Sequence, residues 1–485
     1  MSNEATSFDK RAHVAIDLGA ESCRVSLLQW RNEEPEVTML HRVPNGPVED
    51  IGHLYWPLNR ILSGVEEGLR KAADAAPEGI ASIGVDGWAV DYVRLSEDGK
   101  PVSAPFCYRD ERTVSAKTEA ETRVNAGEMF RRTGAQPLRI NTAYQLIADL
   151  LAGNERETPW VLLPEYVLHW LGGRRVAEYT NATHTGLVNV ESGDWCERTI
   201  ELLGLSLAAV PEIVPSGSVV GKLSGALTSL PAFASTELIA PACHDTASAI
   251  ASIDEPIEHT AYIVSGTWSL VGTVIEKPVC STEAQQAGFT NQGAVSGGYC
   301  FHRNVNGMWM LKQCMEHWAA EGRVLDIAEL IAQAGNVDPI PGLIDVDLPE
   351  LLLAGNMSAR INEALRLAGS NTIDDSAGHE PIFARVIFAS LAHGYANTLR
   401  NLESLTGRTF EQIMILGGGS RNALLRKLTE KSTGLPVICG EVEGSTIGNF
   451  AVQLATREAQ PGTPGFAGSV RRWAHRLGSH KEACA

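Results

Sequence analysis

Residues 13–30, H-V-A-I-D-L-G-A-E-S-C-R-V-S-L-L-Q-W, set two apolar runs rich in strand formers on either side of a Gly-containing turn. The same pattern returns about half a chain later at 260–275, T-A-Y-I-V-S-G-T-W-S-L-V-G-T-V-I. Neither run has helical spacing, so each reads as a β-hairpin. A chain that opens twice in the same way predicts two similarly built halves. The polar stretch S-I-D-E-P at 252–256 follows an apolar helix-like run and is the natural seam, giving domains of residues 1–253 and 254–485. A length of 485 residues is too great for one ordinary core, in keeping with that division.

Other elements follow from the same kind of pattern. Residues 80–95 alternate like one strand and carry acidic side chains at 86 and 91. Residues 142–151, T-A-Y-Q-L-I-A-D-L-L, are spaced as an amphipathic helix that Thr142 could cap. A long helix is predicted over 381–402, with a break at Gly407. Then come a short apolar strand at 413–416, three glycines at 417–419, and a helix from Asn422 onward. Residues 461–467, P-G-T-P-G-F-A, read as a loop before a last helix. Strands mixed with helices throughout indicate an α/β fold.

Composition narrows the functions. With 44% hydrophobic and 20% charged residues the chain is a folded globular protein. A formal charge of −18 opposes nucleic-acid or anionic-membrane partners, which need a positive face. The basic cluster Arg471, Arg472 and Arg476 reads as a solvated helix face. Nine scattered cysteines with no C-x-x-C pair form neither a zinc framework nor a secreted disulfide scaffold, so a reducing cytoplasm is expected. The first ten residues have no apolar segment of the signal-peptide kind, and no apolar run reaches the ~20 residues of a membrane span. In such a chain the Asn181-Ala182-Thr183 sequon carries no meaning.

Several positions could carry chemistry. Asp17 stands directly before Leu18-Gly19-Ala20, where a glycine turn lets backbone approach a phosphate and a carboxylate could hold hydrated Mg²⁺. The alternative is a tight hairpin with a surface Asp. Ser265-Gly266-Thr267 offers hydroxyls in the matching turn. The glycines at 417–419 would let a base or ribose lie on bare backbone, or simply make a tight strand-to-helix turn. Neither a Rossmann nor a P-loop pattern is present. Asp245, within I-A-P-A-C-H-D-T-A-S-A, has small neighbours that would let a ligand reach its carboxylate. It suits a base that takes an alcohol proton, or else it caps the helix that follows. Asp86, Trp88 and Asp91 alternate on one strand-like face, and Y-R-D-E-R at 108–112, Asn181 and Asn304 add possible hydroxyl partners.

Together, A-I-D-L-G-A-E-S-C-R-V (15–25), V-D-G-W-A-V-D-Y (85–92), Y-R-D-E-R-T (108–113), N-T-A-Y-Q-L (141–146), Y-T-N-A-T (179–183), C-H-D-T-A-S-A (243–249), S-G-T-W-S-L (265–270), R-N-V-N-G-M-W (303–309), G-G-G-S-R-N (417–422) and G-S-T-I-G-N (444–449) resemble the FGGY family of carbohydrate kinases. They run in family order over nearly the whole chain. Y-R-D-x-R-T, H-D-T-A-S-A and S-T-x-G-N resemble the branch acting on L-rhamnulose more than the glycerol or xylulose kinases. The resemblance implies two actin-like, ribonuclease-H-like domains with the active site in the cleft between them. It implies ATP and a ketose as ligands, Mg²⁺ as cofactor, a cytoplasmic setting, and a monomer or small homo-oligomer.

Residue by residue, the resemblance makes Asp245 the base for the sugar's 1-hydroxyl. ATP phosphates would lie on Ala20, Glu21, Ser22, Cys23, Arg24 and Thr267, with Lys312 also at the nucleotide and the adenosine beside Gly417, Gly418 and Gly419. The sugar would touch Ala89, His244, Thr246 and Asn304, with Asp86 and Trp88 nearby, and Asp17 would bind Mg²⁺ through water. Glu21 and Cys23 stand where the family usually has small residues, Ala89 where the branch commonly has glycine, and Lys312 where Gln is frequent. L-Fuculose or D-xylulose as substrate, and a non-catalytic nucleotide-dependent sugar sensor, are the alternative readings.

Overall fold

The computed structural model describes residues 9–478, so the opening segment 1–8 and Cys484 lie outside the described residues. Two six-stranded mixed sheets organise the chain. The first runs Ser218–Lys222, Glu237–Ala240, Ile80–Gly87, Ala12–Leu18, Ser22–Arg31, Glu34–Pro44. The second runs Phe289–Gly293, Tyr299–Asn306, Trp268–Ile275, Thr260–Ser265, Gln412–Leu416, Val437–Cys439. In each, the opening strand has its antiparallel hairpin partner on one side and a parallel strand from later in the chain on the other. The two hairpins read from the sequence are therefore equivalent strands of two like-built sheets. Their central strands are apolar because both faces are covered: all of Ala12–Leu18 and Ile80–Gly87 is buried.

The last two helices return to the first sheet. Gly444–Ala455 and Pro464–Gly478 pack Ile447, Phe450 and Trp473 against Ala15 and Leu28. Helix Gly444–Ala455 also crosses helix Asp245–Ala251 so closely that a Cβ on Gly448 would sit 1.7 Å from the Ser248 carbonyl oxygen. Only glycine fits there. In the second half the long helix Glu380–Thr406 lays Phe383, Ile387, Leu391 and Tyr395 into one core with Ile263, Val271 and Ile415, and ends at Gly407. Asn422 caps the next helix, its side chain accepting from Leu425 N at 3.0 Å. Among the described residues no helix is long and apolar enough to cross a membrane.

Three local readings need correction. The alternating stretch 80–95 is two strands, Ile80–Gly87 and Tyr92–Arg94, because Val90 adopts φ +71° and turns the chain between them. Thr142 is not a cap: its hydroxyl donates to Val90 O at 2.7 Å, and Asn141 precedes the helix instead. The final helix starts at Pro464, inside the stretch read as loop, since proline suits a first helical turn.

Candidate active site

The first hairpin brings Asp17 to the end of its strand, opposite Arg24 on one side and Asp86 on the other. Asp17 is 4% exposed, so it is no surface carboxylate. Its Oδ2 accepts from Arg24 Nη1 at 3.0 Å and from Ser445 Oγ at 2.8 Å, and Arg24 also reaches Glu443 at 3.1 Å. Burial raises the Asp17 pKa, Arg24 opposes the rise, and nearby Asp245 adds to it. At the turn, Gly19 N donates to Ser22 O at 3.1 Å, while among the described residues the N–H groups of Ala20 and Glu21 find no acceptor. These free donors suit an anion.

Two neighbours of that turn behave differently from expectation. Glu21 does not leave a bare negative charge near a nucleotide, because Lys312 from the other half pairs with it at 2.7 Å. Cys23 is 3% exposed and packs into the first core, so only its backbone can serve a ligand. The Ser22 hydroxyl accepts from Arg42 Nε at 3.1 Å.

Asp86 is completely enclosed. Its Oδ2 accepts from Asn449 Nδ2 at 2.6 Å, and its buried Oδ1 has no partner. Burial, reinforced by Asp17 and Asp245, lifts its pKa well above the usual carboxylate range. It faces other carboxylates rather than an open sugar pocket. Nor do Asp86, Trp88 and Asp91 share a face, since the strand stops at Gly87. Asp91 is instead a buried hub that accepts from the indoles of Trp56 (2.5 Å) and Trp88 (2.9 Å), from Gln145 (2.9 Å) and from Tyr108 N (3.2 Å). Burial pushes it up to about 6 against those donors. The two indoles lie 4.2 Å apart, with Ala89 buried in the same turn.

Asp245 opens helix Asp245–Ala251. His244, not Asp245, is the N-cap, and one Asp245 oxygen is taken locally: Oδ1 accepts from Thr246 N at 2.5 Å and from the Thr246 hydroxyl at 3.2 Å, with His244 Nε2 also at 3.2 Å. Among the described residues Oδ2 accepts no hydrogen bond, and 36% of the side chain is exposed. Desolvation raises this carboxyl to about 6. His244 is held neutral by burial, its pKa lowered to about 3, and its ring lies 3.9 Å from that of His184. Gln292 links His184 (3.0 Å) to His302 (2.6 Å) in the second sheet, and Asn304, exposed, lies two residues beyond His302 on the same strand face.

Asn181 is a correction. It is fully buried, and its amide donates to Glu165 at 2.8 Å, so no sugar can reach it. Within 108–112, Asp110 and Arg112 are likewise engaged, with Leu54 N and Asp149 respectively.

On the other side, the three glycines follow strand Gln412–Leu416 and lie against the second hairpin. A Cβ on Gly419 would fall 2.1 Å from Ser265 Oγ. Helix Trp309–Ala320 starts from that hairpin, with Met308 N and Trp309 N donating to Gly266 O and Thr267 O, and it carries Lys312. The Thr267 hydroxyl takes no partner among the described residues.

The groups around Asp17 fit a divalent cation. Oxygen is the donor type Mg²⁺ prefers, and among the described residues Asp17 Oδ1 accepts no hydrogen bond and Asp86 Oδ1, on the adjacent strand, is an orphan. Among the described residues no three His, Cys, Asp or Glu side chains are grouped to hold a metal, so phosphate and water would supply the other ligands.

This chain matches the FGGY family of carbohydrate kinases, N-terminal domain, over residues 12–251 and the C-terminal domain over residues 261–456. The chain belongs to the FGGY family of carbohydrate kinases. This kinase is 36% identical to a rhamnulokinase of Klebsiella pneumoniae over 465 residues, covering 94% of this chain and 92% of that protein. It is 33% identical to a rhamnulokinase of Bacteroides thetaiotaomicron, covering 92% and 91%. In fold it is similar to the xylulose kinase of Lactobacillus acidophilus (TM-score 0.75, 16% identity, 97% of each chain). It is also similar to the Plasmodium falciparum glycerol kinase solved with ADP (TM-score 0.74, 14% identity, 95% and 92% of the chains).

Sequence reasoning about this FGGY kinase missed the groups that hold the carboxylates. Ser445, Asn449 and Gln453 recur every four residues on one face of helix Gly444–Ala455. They reach Asp17, Asp86 and, for Gln453, Val14 O (3.0 Å) and Ser82 (2.6 Å). A polar stripe on an otherwise apolar helix was the signal available.

Proposed function

We propose that the protein phosphorylates the 1-hydroxyl of L-rhamnulose with ATP, giving L-rhamnulose 1-phosphate and ADP in rhamnose catabolism. The observation that carries this reading is the division of labour at Asp245. Thr246 saturates one carboxylate oxygen, leaving Oδ2 free on a side chain that remains partly open. The sugar's hydroxyl proton moves to that oxygen as O1 bonds to the γ-phosphorus. The bond from the γ-phosphorus to the β,γ-bridging oxygen breaks and ADP leaves. The free turn N–H groups of Ala20 and Glu21 and the hydroxyl of Thr267 would receive the phosphates, and Gly417–Gly419 the adenosine. Mg²⁺ near Asp17 would neutralise charge on the phosphates when bound.

The choice of sugar rests on the two rhamnulokinase relatives, each matched over more than nine-tenths of this chain. His244, Thr246, Ala89 and Asn304 are the residues we assign to the sugar. ATP as co-substrate puts the enzyme in the cytoplasm. A coupled ADP-release assay over L-rhamnulose, L-fuculose and D-xylulose, with no sugar as control, tests the reading. L-Rhamnulose should give the highest kcat/KM by at least about tenfold, the scale of one net hydrogen bond. A better rate with another ketose would move the substrate. Binding of ATP and sugar without turnover would make the protein a sensor.

The pH dependence follows from Asp245. A base must be ionised to accept a proton, so kcat/KM for sugar should fall as pH drops through about 6. A flat profile down to pH 5 would contradict the assignment.

A further inference from the structure

Between strand Glu237–Ala240 and helix Asp245–Ala251 the chain crosses a short irregular stretch that meets the first sheet through an isolated parallel bridge between His244 and Gly87. Cys243 O is held by Gly87 N at 3.0 Å. The N–H groups of Cys243 and His244 are held by side chains from another segment. Cys243 N donates to Glu178 Oε2 at 2.9 Å, and His244 N to Thr180 Oγ1 at 3.5 Å.

Glu178 is fully buried, yet all its acceptor sites are used. Oε1 accepts from Thr180 N (3.0 Å) and Ser216 Oγ (2.5 Å); Oε2 accepts from Thr180 Oγ1 (2.5 Å) and Cys243 N. Four donors and about four lone-pair sites match the ionised carboxylate. Glu178 is itself fixed from behind, since its N–H donates to Glu165 Oε1 at 2.9 Å. Burial raises the pKa of both Glu165 and Glu178, and it is the four donors around Glu178 that favour its ionised form.

We propose that Glu178 and Thr180 are positioning residues for the phosphoryl transfer: by holding the backbone of Cys243 and His244 they set where the Asp245 carboxylate stands. The assignment rests on the kinase reading above and extends it to groups that touch no ligand. An ordinary buried carboxylate could have satisfied itself within its own segment. This one spends an oxygen lone pair on a backbone N–H two residues before the base. It also gives a role to the Y-T-N-A-T motif, whose Asn181 does not meet sugar.

The geometry makes the test specific. Two of the four donors are backbone N–H groups, one at each carboxylate oxygen, and neither can turn into an acceptor. In Glu178→Gln the new amide NH₂ therefore confronts a backbone donor in either orientation. Thr180→Val removes the hydroxyl that bridges Glu178 and His244 N, whereas Thr180→Ser keeps it. Ser216→Ala removes a donor from the far oxygen without touching residues 243–245. Small displacements of a reacting group cost up to about a hundredfold in rate.

We expect Thr180→Val and Glu178→Gln to lower kcat about 30-fold, with KM for ATP within about twofold of the parent. Thr180→Ser should restore kcat to within about threefold. Ser216→Ala should lower Tm but keep kcat within about twofold. If Thr180→Val and Glu178→Gln lose Tm yet keep kcat within about threefold, the pair is only structural and the inference falls. It also falls if Ser216→Ala loses as much kcat as Thr180→Val, because general loosening would then explain the rates. A parent with no turnover on any ketose would remove the kinase reading itself, a result separate from either of these.

Discussion

The two hairpins share a backbone plan but not a chemistry. The first is crowded with charge: Asp17, Glu21 and Arg24 lie on it, and Glu443 and Lys312 reach over to pair with them. The second presents Ser265, Gly266 and Thr267, without a charged group, beside bare glycine backbone. In the proposed reading a repeated sheet takes on two tasks. One turn can manage a cation beside the carboxylates, and its counterpart can offer neutral donors and a flat surface to a nucleotide.

Breaking the charged side should have the largest effect. Asp17→Asn removes the negative acceptor shared by Arg24 and Ser445, and kcat/KM for ATP should fall about a hundredfold with a higher Mg²⁺ requirement. ADP release measured across a Mg²⁺ series checks this, and a loss below threefold would erase the contrast between the hairpins. On the neutral side, Thr267→Val deletes one uncharged donor and should lower kcat only about threefold to tenfold, read in the same assay at saturating ATP. The smallest change is expected from Glu21→Gln. Glu21 and Lys312 are 64% and 44% exposed, a pair of the kind worth at most about 1 kcal/mol, so KM for ATP should move by no more than about fivefold. A change as large as that of Asp17→Asn would show that the pair, not the buried carboxylate, governs the first turn.

Much of this arrangement was legible in the chain because it is local. Two strand–glycine–strand runs, a run of three glycines after a short strand, and an Asp among small residues are each visible in a few positions. What escaped notice depends on partners far away in sequence. Asp91 looked like a strand residue because alternation carries no mark of the positive φ at Val90, and its partners Trp56 and Gln145 come from 35 and 54 positions away. Asn181 looked like a sugar ligand because polarity alone cannot show that Glu165 claims its amide. Ser445 and Asn449 sit 428 and 363 positions from their partners Asp17 and Asp86, and their spacing equally suits a solvated face until the helix is seen packed on the first sheet.

The most direct test is turnover by Asp245→Asn, measured as ADP released with L-rhamnulose, alongside ATP binding to the same protein. Loss of the acceptor oxygen's basicity should cut kcat at least about a hundredfold while ATP affinity and Tm stay near those of the parent. Turnover within tenfold of the parent would mean that a different group takes the proton, and the site drawn here would be wrong at its centre.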